Sequence, residues 1–183
     1  MMNNGKIMEQ QWRKSAMKIP GLYYQRMKDG TATFNGGQAG MRFQASNPYD
    51  CFMFLEPTLY LLELKSHNGA SLPYTAIRKN QLDSLATAGR KPGVEAGFVV
   101  HFREKDECWF VNGLDVKEFV EEQERKSIPI AWFRENGVKV EMIHLRHRVM
   151  YDVQGMMISL AERRIAERGN REERRENERL LCL

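Results

Sequence analysis

The stretch LYLLELKSHNG, Leu59 to Gly69, begins as a strand suited to burial and ends on a carboxylate and an amine. Side chains alternate along a strand, so Tyr60, Leu62 and Leu64 share one face while Leu59, Leu61, Glu63 and Lys65 share the other. The preceding YDCFMFLEPT, Tyr49 to Thr58, reads as a partner strand that turns back at Glu56-Pro57 or close by. A two-residue loop pairs Leu55 with Thr58 and sets Asp50 directly opposite Glu63. A loop one residue longer leaves the two carboxylates as diagonal neighbours. In both registers Asp50 and Glu63 converge at the open end of the hairpin, with directly paired Cβ atoms roughly 5 Å apart.

Two carboxylates that close repel, and in a desolvated setting one of them takes up a proton. A hard divalent cation removes the conflict, and Mg²⁺ is commonly held by one or two carboxylates with water and phosphate oxygens completing its shell. Lys65, one pleat along on the same face, then offsets negative charge building on a phosphate. Against this stands a plain Glu63–Lys65 salt bridge at a strand end, the simplest meaning of Glu-x-Lys by itself. The Asp on the partner strand shifts the balance toward chemistry. So does the next helix, where Ile77, Gln81 and Leu85 fall at i, i+4 and i+8 and place Gln81 on the inward stripe. A Gln there is costly without a partner, such as a metal-bound water or the hairpin backbone.

Around this centre, 183 residues with a 42% hydrophobic share suit a single packed domain with an appended tail. A pI near 9.0 and net charge of +4 shift the expectation modestly toward a polyanionic partner. Cys51, Cys108 and Cys182 are odd in number and form no CxxC pair, which argues against a disulfide framework or a cysteine zinc site and fits a reducing cytoplasm. No apolar run approaches the ~18–20 residues that cross a membrane, and the N-terminus lacks the apolar core of a signal peptide.

Gly5 to Lys18 reads as an amphipathic helix with Ile7, Met8, Trp12 and Ala16 inward, ended by Pro20-Gly21. LYYQRMKD is a strand, followed by a Gly- and Thr-rich passage to Pro48 that is long for a connector. After the hairpin, Pro73 and a Thr75 cap open a helix that stops at Gly89. AGFVVHF and ECWFV are apolar strands around a charged turn, Arg103 to Asp106. GLDVKEFVEEQE is a helix with Leu114, Phe119 and Val120 inward. A last amphipathic stretch around Val153, Met156, Met157, Leu160 and Ile165 dissolves into RRIAERGNREERRENER, whose mixed charge is the mark of a solvated helix or tail. The order of elements indicates an α/β fold with a mixed sheet flanked by helices.

The ordered set of Asp, then Glu-x-Lys on the next strand, then a polar residue on the following helix resembles the PD-(D/E)xK nuclease pattern. Within that superfamily the chain resembles the RecU-type Holliday junction resolvases, from about Gly5 to Ile143. GKIMEQQW resembles their opening helix, YDCFMF with LYLLELKS their Asp and Glu-x-Lys strands, SLPYTAIRKNQLDSL their Gln-bearing helix, EAGFVVHF the next strand and RKSIPI a late basic connector.

The resemblance implies a restriction-endonuclease-like sheet over residues 1–152 and a charged helical tail over 153–183. It implies Mg²⁺, with Mn²⁺ as a substitute, bound by Asp50, Glu63 and Gln81, with Lys65 stabilising the transition state and Glu9 in a supporting role. The implied substrate is branched DNA, cut in recombination and repair by a cytoplasmic homodimer whose two-fold symmetry supplies two cuts. Where the family often has Thr or Ser just before its Asp, Pro48-Tyr49 stand here, which removes that extra metal contact. The family's stalk, which enters the centre of the four-way junction, corresponds to residues within Asp29 to Ser46, with Arg42 as its basic side chain.

Arg26, Lys28, Arg42, His67, Arg78 and Lys79 flank the centre and are the phosphate-contact candidates. His144 and His147, three apart beside Arg146 and Arg148, have metal spacing but no third ligand, and read as a basic surface cluster. Two alternatives stand beside a resolvase. One is another nuclease of the same fold, restriction-like, repair or exonucleolytic. The other is a non-catalytic DNA-binding module, against which the Asp50, Glu63 and Lys65 set argues.

Overall fold

The computed structural model describes residues 3–27 and 47–181, with side chains through residue 170. Its organising element is β3, Thr58–His67, the strand that carries the Glu-x-Lys. Upstream, β2 (Cys51–Leu55) pairs with it antiparallel from Leu55↔Thr58 to Cys51↔Leu62, so the hairpin loop is the two residues Glu56 and Pro57. Downstream, β5 (Val94–Phe102) pairs with β3 in parallel, placing Glu63 beside Phe98 and Lys65 beside Val100. Around these lie β1 (Tyr23–Arg26), β6 (Glu107–Asn112) and β8 (Val138–Lys139), giving a six-stranded mixed sheet in the order β1-β2-β3-β5-β6-β8.

The alternation read from the sequence divides two cores. Tyr60, Leu62 and Leu64 point to the face covered by α1 (Asn4–Ala16), where Met8, Trp12 and Ala16 are buried. The first turns of α5 (Val153–Leu181) cover the same face through Val153, Met156, Met157 and Leu160. Ile165, one further apolar residue of that helix, is exposed. Arg164 meets the buried Glu95 and the Thr58 hydroxyl, fastening α5 to the edge where β3 and β5 begin. On the opposite face Leu61 joins Phe98, Val100 and Phe102 beneath α2 (Lys79–Gly89), α3 (Gly113–Glu122) and α4 (Ile130–Asn136). Among the described residues no helix is long and apolar enough to cross a membrane.

Two short ribbons complete the molecule, β4 (Ser71–Pro73) with β7 (Ser127–Pro129), and β9 (Met142–Leu145) with β10 (Arg148–Tyr151). The expected Thr75 cap is corrected. Tyr74–Ala76 form a single 3₁₀ turn, Ile77 is extended, and α2 begins at Lys79 with Arg78 at its N-cap and no side-chain capping bond. Ile77 enters the apolar layer from this extended link, which breaks the helical run that a Thr75 cap would start.

Candidate active site

The two-residue loop decides the register, and Asp50, just before the last ladder pair Cys51↔Leu62, leaves that register by donating its N–H to the Leu62 carbonyl at 3.0 Å. The Leu64 N–H donates to Asp50 Oδ2 at 2.8 Å, which fixes that carboxylate against the peptide between Glu63 and Lys65. Glu63 projects from the same strand toward α2 and is only 3% exposed. Lys65 Nζ lies 2.8 Å from Glu63 Oε1 and donates to Gln81 Oε1 at 3.3 Å. Gln81 is itself buried and also hydrogen-bonds Glu63. The inward Gln thus has its partners on β3, as the cost of an unpaired buried amide demands.

The Glu63–Lys65 salt bridge weighed from the sequence is therefore present, but it satisfies one carboxylate oxygen only. Glu63 Oε2 is buried without a hydrogen-bond partner. Burial raises the Glu63 carboxyl above its ordinary value, opposed by Lys65, the Gln81 amide and the charge of Arg78. A desolvated carboxylate with one orphaned oxygen, next along β3 to the Leu64 N–H that holds Asp50, fits a cation that takes one or two carboxylate ligands. No three His, Cys, Asp or Glu side chains among the described residues gather into a self-contained metal cage. The donor set is two carboxylates, the Gln81 amide oxygen and water, which suits Mg²⁺ better than a metal needing a closed protein cage.

Glu9 reaches this end of the sheet from the other face. Its carboxylate lies 2.6 Å from Arg26, whose strand position pairs with Cys51 beside Asp50. The buried Cys51 thiol is held above its usual range chiefly by burial, and also by the negative charges of Asp50, Glu63 and Glu9. Tyr24 hydrogen-bonds that thiol and also senses Glu9, a neighbour the sequence did not single out.

His67 ends β3 two residues past Lys65, with its ring edge-on to Phe102. Burial, and then the charge of Arg103, hold its pKa below the usual range. Arg78 acts on Glu63 through its charge, whereas Lys79 acts on Asp83, one turn along α2 and away from the centre. Lys28 and Arg42 lie outside the described residues. Arg103, passed over as part of a charged turn, donates to the Ser66 hydroxyl at 2.9 Å beside Lys65. Its only signal in the sequence was proximity to an apolar strand end. His144 Nε2 lies 2.9 Å from Asp106 Oδ1 at the surface, and among the described residues no group of three such side chains forms a metal cluster there.

The family model of Recombination protein U matches residues 58–152, more than half of the chain. The chain belongs to the RecU family. The matched span holds Glu63, Lys65 and Gln81 and begins after Asp50 and Glu9. A relative from Bacillus subtilis (strain 168), described as an SPbeta prophage-derived uncharacterized protein YotM, is 30% identical over 164 residues, covering 81% of this chain and 82% of its own length. A solved structure of Archaeoglobus fulgidus Hjc, described as a Holliday junction resolvase, is 18% identical with a TM-score of 0.49, over 74% of this chain and 95% of that one.

Proposed function

We propose that this RecU-family chain is a Mg²⁺-dependent endonuclease that resolves four-way DNA junctions, with Mn²⁺ able to replace Mg²⁺. The observation that carries the reading is the buried Glu63 carboxylate, with Oε2 orphaned and Oε1 on Lys65, one residue along β3 from the Leu64 N–H that holds the Asp50 carboxylate. Asp50, Glu63 and Gln81 would hold the cation, which when bound polarises the phosphate and lowers the pKa of water. The chain's own groups do the rest. The Leu64 N–H keeps Asp50 oriented, Gln81 bridges Lys65 and Glu63, and Lys65 places a positive charge where the phosphate gains negative charge. In the reaction a water oxygen bonds to phosphorus, one phosphodiester P–O bond breaks, and the water proton ends on the departing oxygen.

Membership in a recombination-protein family supports a branched substrate, and two symmetric cuts in a four-way junction support a homodimer. Work on intracellular DNA implies the cytoplasm. The test offers purified protein four-way junctions, duplex, flap and single-stranded DNA with Mg²⁺, and measures its mass by light scattering. The expected result is paired nicks in the junction, lost in Asp50→Ala and in Lys65→Ala. Wild-type cleavage by either variant refutes the assignment, and preferential cutting of plain duplex refutes the junction.

A further inference from the structure

α1 and the β9–β10 ribbon enclose a groove of about 300 Å³ whose polar lining is Gln10, Gln11, Lys14, Lys18, His147 and Arg148. Among the described residues no carboxylate lines it. Lys14 lies in the last turn of α1 and Lys18 in the turn just past the helix end, and both line the groove. Lys18 Nζ rests on Met150 Sδ at 3.3 Å, a weak acceptor that leaves the ammonium charge uncompensated. Several cations elsewhere have carboxylate partners: Lys117 pairs with Asp83 and Glu121, Arg134 with Glu107, and Lys139 with Glu141. A cluster of cations left without carboxylates creates a local positive potential suited to an anion from outside.

The groove's position gives that anion an identity. Tyr151, the last residue of β10, shares a hydrogen bond with His101 Nδ1 at 3.0 Å, and its N–H donates to Ser15 of α1. His101 is the register partner of Ser66, the residue after Lys65. Ribbon and helix are thus anchored at the sheet end that carries the candidate active site, on the opposite face. We propose that this groove binds the sugar-phosphate backbone of a duplex arm of the DNA being cut. Lys14, Lys18 and Arg148 contact neighbouring phosphates, with His147 beside them in the groove. Such contacts carry no sequence information and set how the duplex lies on the protein. The identity of the bound polymer rests on the nuclease reading.

The experiment titrates full-length protein onto a four-way junction without divalent metal, by fluorescence anisotropy between 50 and 200 mM salt. Each lost phosphate contact reduces the slope of log affinity against log salt by about 0.9. The Lys14→Gln/Lys18→Gln/Arg148→Gln variant is expected to be shallower by about 2–3 and to bind at least roughly tenfold more weakly. Arg90→Gln/Lys91→Gln, at the far end of the sheet, is expected to match wild type. In wild-type protein the junction should also shield Lys14 and Lys18, but not Lys91, from acetylation read by mass spectrometry. An unchanged slope together with unshielded Lys14 and Lys18 overturns the groove while leaving wild-type cleavage intact. Binding without cleavage under Mg²⁺ refutes the nuclease reading and leaves the groove to be judged by the slope. A wild-type protein that binds no DNA overturns both.

Discussion

Replacing Glu63 with Gln should make the metal-free protein more stable while destroying its activity. The carboxylate is 3% exposed and Oε2 has no partner. A buried polar atom left unpaired costs ~1–3 kcal/mol, more when charged. The isosteric amide keeps an acceptor for Lys65, which is partly hydrated with an 18% exposed side chain, and gives up some coulombic attraction. The net expectation at pH 8 is a gain of about 1 kcal/mol, or a Tm higher by roughly 2–4 °C for a chain of this length. Burial raises the Glu63 pKa above its ordinary 4.5, so the folded state holds this proton more tightly than the unfolded state. The wild-type penalty therefore grows as pH rises through 4.5 and is absent below it, and the two melting curves should converge near pH 4.

Divalent metal should reverse the order. At a concentration of 100 times Kd it adds about 2.7 kcal/mol to a protein that binds it and little to one that has lost a ligand. The assay is differential scanning calorimetry of both proteins at pH 4 and pH 8, with and without Mg²⁺. A variant that melts lower than wild type at pH 8 without metal, or that gains as much from Mg²⁺, refutes the reasoning.

Three further outcomes are expected. Below pH 6.5 the wild type should lose stability, because burial holds the His101 pKa below its ordinary 6.5, so the unfolded chain takes up this proton more readily than the folded one. His101→Gln should flatten that limb in urea titrations, and an equally steep limb would assign it to other groups. Gly97→Ala should destabilise by about 3 kcal/mol or prevent folding, since the new Cβ would sit 2.0 Å from the Val111 carbonyl oxygen and 2.9 Å from the Phe110 ring. A soluble variant melting within a degree of wild type would contradict that packing. Ending the chain at residue 152 should yield insoluble protein, read as loss of the soluble fraction on expression, and a soluble, cooperatively melting product would contradict this packing. The shorter chain loses Val153, Met156, Met157 and Leu160, each worth roughly 1.5–3 kcal/mol when buried, a sum comparable to the stability of a whole domain.

The last of these bears on the tail expected over 153–183. Residues 161–163 and 165–170 of its charged sequence are exposed, yet the four apolar residues at its start belong to the core shared with Trp12 and Leu62. What the sequence by itself determined follows from local geometry. A strand repeats every two residues, so the spacing of Glu63 and Lys65 put them on one face of β3 and Leu62 and Leu64 on the other. Gln81 fell inward because the helix repeats every 3.6 residues, even though Ile77 reaches the same layer from an extended link rather than from the helix.

The short elements, β7 to β10 and α4, span two to seven residues and carry too little periodicity to be read. Tertiary structure alone chose between the two hairpin registers. It alone tied Asp50 to the Leu64 N–H, brought Glu9 to Arg26 across the sheet, and set His101 against Tyr151. These contacts join residues far apart in the chain, and their geometry depends on how strands and helices cross. No local repeat encodes that crossing. The pattern in LYLLELK therefore fixed which side chains could act together, and folding decided which of Glu63's two oxygens was left without a partner.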